Sequence, residues 1–245
     1  MSVSIPAVVI GASGYVGGEL LRLIAGHPNL DLKAAVSDSG AGKPIGELFG
    51  HLATALADHT FVPHSEWLDH VPADGDLALF SAAPHGASAG MLAEAIAECE
   101  SKGINVHVVD SSADFRFAEQ SAWEAVYKAQ HGAPDLLNQF VCALPEHVEA
   151  IDVPHVGHPG CFATASTLAT VPLIRSGLTT AEVFISGVTG STGSGKLPVA
   201  GTHHPERNSN LYAYKPLAHR HAPEVEALAE AASGRRTSVH FVPHS

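Results

Sequence analysis

Ile5-Pro6-Ala7-Val8-Val9-Ile10-Gly11-Ala12-Ser13-Gly14-Tyr15-Val16-Gly17-Gly18 is the stretch on which the fold turns, and Glu19-Leu20-Leu21-Arg22-Leu23-Ile24 completes it. A short β-rich run meets a glycine turn, and an amphipathic helix follows. The glycines at 11, 14 and 17 form a GxxGxxG variant of the dinucleotide fingerprint. Gly11 permits the tight turn, Gly14 lets the backbone approach a pyrophosphate, and Gly17 lets the helix pack close to the strand. The helix N-terminus offers N–H groups to the phosphates. A glycine pattern alone is weak evidence. This one follows a strand and precedes an amphipathic helix, which is the context the motif requires.

Working outward, Leu30–Val36 reads as the second strand, after the turn His27-Pro28-Asn29. At its end lies Ser37-Asp38-Ser39-Gly40-Ala41-Gly42-Lys43, where an adenosine ribose is read in such folds. Asp38 suits a 2′-hydroxyl, whereas Ser37, Ser39 and Lys43 suit a 2′-phosphate. The residues alone leave NAD and NADP both open. Asp76–Ala83 is a buried-strand run followed by Pro84-His85-Gly86. A helix is expected over Ala87–Cys99 with Gly103 just past its end, and a further strand over Ile104–Val109. Strands alternating with helices predict a parallel, doubly wound sheet with ligands at the carboxyl strand ends. Loops 81–86 and 110–116, which carry Pro84, His85, Ser111 and Arg116, sit at such ends and should line the cofactor cleft. A helical piece is expected over Ala122–Lys128.

His158-Pro159-Gly160-Cys161-Phe162-Ala163-Thr164-Ala165 places a cysteine directly after a glycine, at the head of a predicted helix. Its apolar members are Ala163, Ala165, Leu168, Ala169, Val171, Leu173 and Ile174. A helix N-terminus carries unpaired N–H groups and about half a positive charge, so a thiol there ionises more readily and can serve as a covalent nucleophile. The bland alternative is an inert buried cysteine. Ala181–Val188 reads as a strand running into Thr189-Gly190-Ser191-Thr192-Gly193-Ser194-Gly195-Lys196. That loop lacks the GxxxxGK[ST] order, because Leu197 follows Lys196, so it is not an ATP-binding P-loop. Its N–H groups and Lys196 could still hold an acyl phosphate or carboxylate. Ala218-His219-Arg220-His221-Ala222-Pro223-Glu224 opens another helix. A cluster of His, Arg and Glu there is placed for acid–base work and anion recognition. Thr237–Val242 begins a final strand.

The chain has 245 residues, with 45% hydrophobic and 16% charged, so a well-filled core is expected and disorder is not. A net charge of −12 argues against nucleic acid as the partner. Cys99, Cys142 and Cys161 include no CxxC pair and are odd in number, which fits a reducing compartment. No apolar run is long enough for a membrane span, and a cytoplasmic protein is expected. The 17 histidines suggest a metal. However, His203-His204 are adjacent and His219 and His221 are two apart, not at the i, i+4 spacing of zinc motifs, so no metal is expected.

Four motifs in sequence carry a resemblance: Gly11–Gly17, Ala113-Asp114-Phe115-Arg116, Pro159–Ala165 and His219–Glu224. Together they resemble the N-acetyl-gamma-glutamyl-phosphate reductases, NADPH-dependent semialdehyde dehydrogenases of arginine biosynthesis, nearly end to end. The resemblance implies an NADP-binding Rossmann domain over 1–157 and an α+β catalytic domain over 158–245. It implies Cys161 as nucleophile and His219 as general acid/base. It points the cofactor toward NADP, held by Gly11, Ser13, Gly14, Tyr15, Val16, Gly17, Ser37, Ser39, Lys43, Pro84 and His85. Ser111, Arg116, Lys196, Arg220 and Glu224 become candidates for the substrate, N-acetyl-L-glutamyl 5-phosphate, and a homo-oligomer is expected. Such proteins usually continue beyond the point matching Ser245, so a truncated second domain with an exposed apolar face or open sheet edge near its end is expected. Rival readings are a reductase of the longer aminoadipyl phosphate, a non-catalytic NADP-binding sensor, and a cysteine hydrolase with a Cys161–His219 dyad.

Overall fold

The computed structural model describes residues 4–245. In chain order the elements are β1 (Ile5–Ile10), α1 (Tyr15–Ala25), β2 (Leu30–Val36), α2 (Ile45–Leu48), β3 (Phe61–Val62), β4 (Gly75–Ser81), α3 (Ser88–Ser101) and β5 (Ile104–Asp110). Then come α4 (Gln120–Tyr127), β6 (Phe140–Cys142), β7 (His155–Gly157), α5 (Cys161–Arg175), β8 (Glu182–Val188), α6 (His204–Arg207), α7 (His221–Ser233) and β9 (Ser238–His244). No helix among the described residues is long and apolar enough to cross a membrane.

The first compact unit comprises the described residues up to Phe115 together with His131–Val141 and Asp152–His158. Its sheet has the order β3-β2-β1-β4-β5-β7-β6, and the pairs from β3 through β7 are parallel. This is the doubly wound sheet the alternating pattern predicts. Both faces are covered, so its central strands are apolar runs rather than strict alternations. Successive side chains of β1 still point to opposite faces. Ala7 and Val9 join Leu21, Ile24 and Phe61 in one core, while Val8 and Ile10 join Leu77, Leu79, Leu92 and Ile96 in the other. The strands β3, β6 and β7 were not legible in sequence, because two or three residues show no period. At β7 part of the pairing is made by a side chain: His155 Nδ1 accepts the Val108 N–H at 3.2 Å, deep in the interior.

The second unit comprises Arg116–Gln130, Cys142–Ile151 and Pro159–Ser245. Two earlier segments, the first carrying α4, belong to the same compact unit as the cysteine helix. Parallel strands β8 and β9 pair from Glu182↔Ser238 to Val188↔His244. Their inner face packs under α5 and α7 through Phe162, Ala163, Val225, Leu228, Val239 and Phe241. The outer edge of β9 is bonded by the segment at 212–217. On the outer face Phe184 is 78% and Val188 68% exposed. The α5 face differs from its apolar pattern. Phe162, Ser166, Thr167, Val171 and Ile174 are buried, whereas Leu168 and Leu173 are exposed. A helix with apolar residues all round gives no single stripe, and tertiary packing selects the face.

Candidate functional site

In the first unit, Gly11 has φ of +73° and a Cβ there would stand 2.6 Å from the Ala82 carbonyl oxygen. A Cβ on Gly17 would collide with the Gly11 oxygen and the Ala12 backbone. Both glycines are required by close approach, as the fingerprint demands. Gly14 is the extended N-cap of α1, and the first helical bond is Gly18 N–H to Gly14 O at 2.9 Å. The N–H groups of Tyr15, Val16 and Gly17 thus precede the intrahelical ladder at a positive helix end. Just beyond, Ser37 Oγ donates to Ser13 Oγ at 2.7 Å and lies 3.4 Å from Ser39 Oγ. Asp38 Oδ1 accepts the His64 N–H at 2.8 Å, which commits one carboxylate oxygen to the chain. Lys43 is exposed on the same loop. A close-approach backbone, a helix N-terminus and clustered hydroxyls fit a dinucleotide.

The carboxyl ends of β4 and β5 are tied to each other. Asp114, fully buried, accepts the N–H groups of Gly86 at 2.7 Å and Ala89 at 3.0 Å, capping α3 from a loop 28 and 25 residues away. Ala113 N–H donates to His85 Nδ1 at 2.9 Å, so the neutral ring carries its proton on Nε2. Asp110, also fully buried, accepts from the hydroxyls of Ser88 and Ser112 at 2.8 and 2.5 Å. Burial pushes its carboxyl pKa up, and those bonds oppose the rise. Ser111 N–H bonds the Ser81 carbonyl, while Pro84 and His85 are exposed. Asp110 and Asp114 were missed as organisers. Their motif is visible, but Gly86, Ser88 and Ala89, which they bind, lie more than twenty residues earlier.

In the second unit, Gly160 is the extended N-cap of α5 and Cys161 its first residue. Of the three thiols only Cys161 is exposed. Burial pushes Cys99 up to about 11 and raises Cys142 further, so neither is a nucleophile near neutrality. Gly160 N–H donates to Glu224 Oε1 at 2.5 Å, and Glu224 Oε2 meets Arg116 Nη1 at 3.3 Å. Both side chains are buried, Glu224 completely. Arg116 and Glu224, expected at the substrate, are here turned on each other and on Gly160. A Cβ on Gly160 would strike His221 Nε2 and stand 2.7 Å from Arg116 Nη1.

His219 precedes α7, and its Nδ1 accepts the His221 N–H at 3.2 Å, which leaves the proton on Nε2 as a donor. Its ring lies edge-on to Phe162, Tyr214 and Phe241. Burial, then Arg220 and Lys215, pull its pKa down to about 4, so it is neutral at pH 7. Tyr214, not singled out from the sequence, is held up by burial and by the nearby Cys161 thiol. Arg220 is exposed, with its guanidinium 5.6 Å over the Tyr127 ring, and Lys196 is exposed on its loop. From Cys161 a trough of about 550 Å³ runs along α5 and β8, past Ala165, Ala169, Phe184 and Ser186.

The sheet and glycine turn define a dinucleotide-binding α/β protein with an exposed cysteine at a helix head. Residues 6–153 match the family described as semialdehyde dehydrogenase, NAD binding domain, and residues 161–245 match semialdehyde dehydrogenase, dimerisation domain. The chain belongs to the semialdehyde dehydrogenase family. It is 36% identical over its whole length to a [LysW]-L-2-aminoadipate/[LysW]-L-glutamate phosphate reductase of Saccharolobus solfataricus, covering 68% of that protein. It is 39% identical over 98% of its length to an N-acetyl-gamma-glutamyl-phosphate reductase of Methanosarcina barkeri, covering 67% of it. The chain thus spans about two thirds of the length of these relatives. A solved aspartate semialdehyde dehydrogenase with NADP, from Candida albicans, shares the fold with a TM-score of 0.62 at 14% identity, over 98% of this chain and 67% of that one.

Proposed function

We propose that this chain reduces N-acetyl-L-glutamyl 5-phosphate to N-acetyl-L-glutamate 5-semialdehyde and phosphate with NADPH, in arginine biosynthesis. The observation that carries the reading is the exposed Cys161 at the head of α5, on a Gly160 turn gripped from below by Glu224. NADP would lie on the N-terminus of α1, with the Ser13, Ser37 and Ser39 hydroxyls and Lys43 toward its 2′-phosphate and Pro84 and His85 along the cleft. When bound, the reduced cofactor supplies the hydride.

Cys161 attacks the acyl carbon as thiolate: an S–C bond forms, the C–O bond to phosphate breaks, and a thioester remains. Hydride addition gives a thiohemiacetal oxyanion, whose collapse breaks the S–C bond and returns the thiolate with the aldehyde. The balance takes up one proton, on the departing phosphate. That proton comes from solvent; His219 Nε2–H would hydrogen-bond the departing phosphate oxygen and relay it, since a neutral imidazole that simply lost its proton would be left as imidazolate. That neutrality also weighs against a hydrolase dyad, which needs imidazolium beside thiolate. The N–H groups at the start of α5 would hold the oxyanion. Arg220 and Lys196 remain as exposed cations for the substrate's anionic groups.

The experiment is a phosphate-dependent NADP assay on the semialdehyde with Cys161→Ser and Cys161→Ala. Both changes are expected to lower the rate by at least 10³-fold, an order-of-magnitude figure for loss of a covalent nucleophile; activity surviving both overturns the covalent scheme. The similarity to the LysW-linked phosphate reductase supports a second reading, an aminoadipyl or glutamyl phosphate on a carrier protein. One methylene changes pocket binding only modestly, so both substrates belong in the same assay. The dimerisation-domain match supports a homo-oligomer.

A further inference from the structure

We propose that Arg116 and Glu224 are positioning residues that hold the Cys161 turn without charging it. This rests on the reading of Cys161 as the nucleophile. Glu224 is fully buried, accepts the Gly160 N–H at 2.5 Å and lies 3.3 Å from Arg116 Nη1. Gly160 is the residue whose peptide leads into the thiol, and it has no room even for a Cβ between His221 and Arg116. The carboxylate therefore fixes the orientation of the Pro159–Gly160 peptide, one peptide before the thiol, from within the protein.

A carboxylate alone below that peptide would work against the thiolate, because like charge disfavours ionisation. It would cancel part of the helix N-terminal field that favours it. The Arg116 guanidinium offsets this. The pair thus supplies a strong acceptor for the Gly160 N–H while leaving almost no net charge behind the turn that carries the thiol. The same bond removes the Gly160 N–H from the set available to an oxyanion, which leaves those of Cys161 and the residues after it. The other titratable groups around the turn are Cys142, whose thiol is held up by burial and feels both Glu224 and Arg116, Tyr127 from α4, Arg220 and His221 at the start of α7, and His219 and Tyr214 before it.

The two partners carry opposite signs, so their removal has opposite consequences. Glu224→Gln keeps an acceptor for Gly160 but deletes the negative charge. Arg116→Met deletes the positive charge and leaves the carboxylate. The test measures iodoacetamide alkylation of Cys161 against pH in the full chain, with the modified peptide identified by mass, and needs neither substrate nor cofactor. Glu224→Gln is expected to lower the pH midpoint and Arg116→Met to raise it. Each displacement is about one unit, or roughly tenfold in rate below the midpoint. The double variant Glu224→Gln/Arg116→Met is expected to bring the midpoint back toward that of the unaltered chain and to recover the melting temperature lost by either single change. Shifts of the same sign, no shift in either single variant, or a double variant no better than the worse single one overturns the proposal. Should a single variant fail to fold, failure of the double variant to recover it does the same. Loss of reductase activity in Cys161→Ser is read separately. A failed reductase assay with opposite-signed alkylation shifts would leave this device standing and discard the substrate assignment.

Discussion

At Gly11 the backbone turns with φ of +73° against the Ala82 carbonyl, so two independent constraints meet in one residue. Gly11→Ala adds a methyl where the conformation is strained and the space is filled. It is expected to destabilise the first unit by about 1–3 kcal/mol and to weaken NADPH binding by tenfold or more, read by thermal melting and nicotinamide fluorescence. His219 makes a prediction of a different kind. Burial holds its pKa at about 4, below its ordinary 6.5. The reductase pH profile should therefore show no break near pH 6.5 from this ring and should lose its neutral form only on approach to pH 4. A limb at 6.5 that disappears in His219→Asn would contradict the neutral-donor role. Cys161 at a helix head was legible as a residue in context, since its glycine and its helix are its neighbours in the chain. The burial that lowers His219 was not, because Phe162, Tyr214 and Phe241 come to it from separate elements.

Among the elements, β1, β2, β5, α1, α3 and α5 follow their sequence patterns to within a few residues, because each is long enough for its period and punctuation to be seen. The β5–β7 junction is another matter. Its ladder includes a bond from Val108 N–H to the His155 ring, which is 2% exposed, and burial pulls that imidazole down to about 4. The folded pKa is depressed below the unfolded value of 6.5. The neutral ring's contribution is therefore complete above pH 6.5 and lost as pH falls from 6.5 toward 4, where the unfolded chain binds the extra proton. At up to about 1.4 kcal/mol per pH unit, the first unit should be less stable at pH 5 than at pH 7 by on the order of 1–2 kcal/mol. Urea unfolding followed through Trp67 in a Trp123→Phe background reads this unit alone, since the two tryptophans lie in different units. His155→Phe should flatten the pH dependence; an unchanged slope would assign it elsewhere.

On the scale of the whole molecule, an acidic chain with net charge −12 exposes two large apolar side chains, Phe184 and Val188, on the outer face of β8. Large apolar side chains left this exposed favour association. Phe184→Ser with Val188→Thr is expected to reduce concentration-dependent light scattering while leaving the inner core of Phe162, Val239 and Phe241 and the melting temperature almost unchanged. Equal scattering in the double variant would place the association surface elsewhere. By itself the sequence determined the alternating α/β order, the glycine turn, the parallel sheet and the thiol at the start of α5. These are properties of neighbouring residues, set by period, backbone freedom and helix ends. Only the tertiary structure decided that segments 116–130 and 142–151 join the cysteine helix, and that Asp114 caps α3. It alone joined Arg116 to Glu224, 108 positions later, beneath Gly160. No local rule selects such partners: a buried charge must find a counter-charge, and packing decides which one arrives.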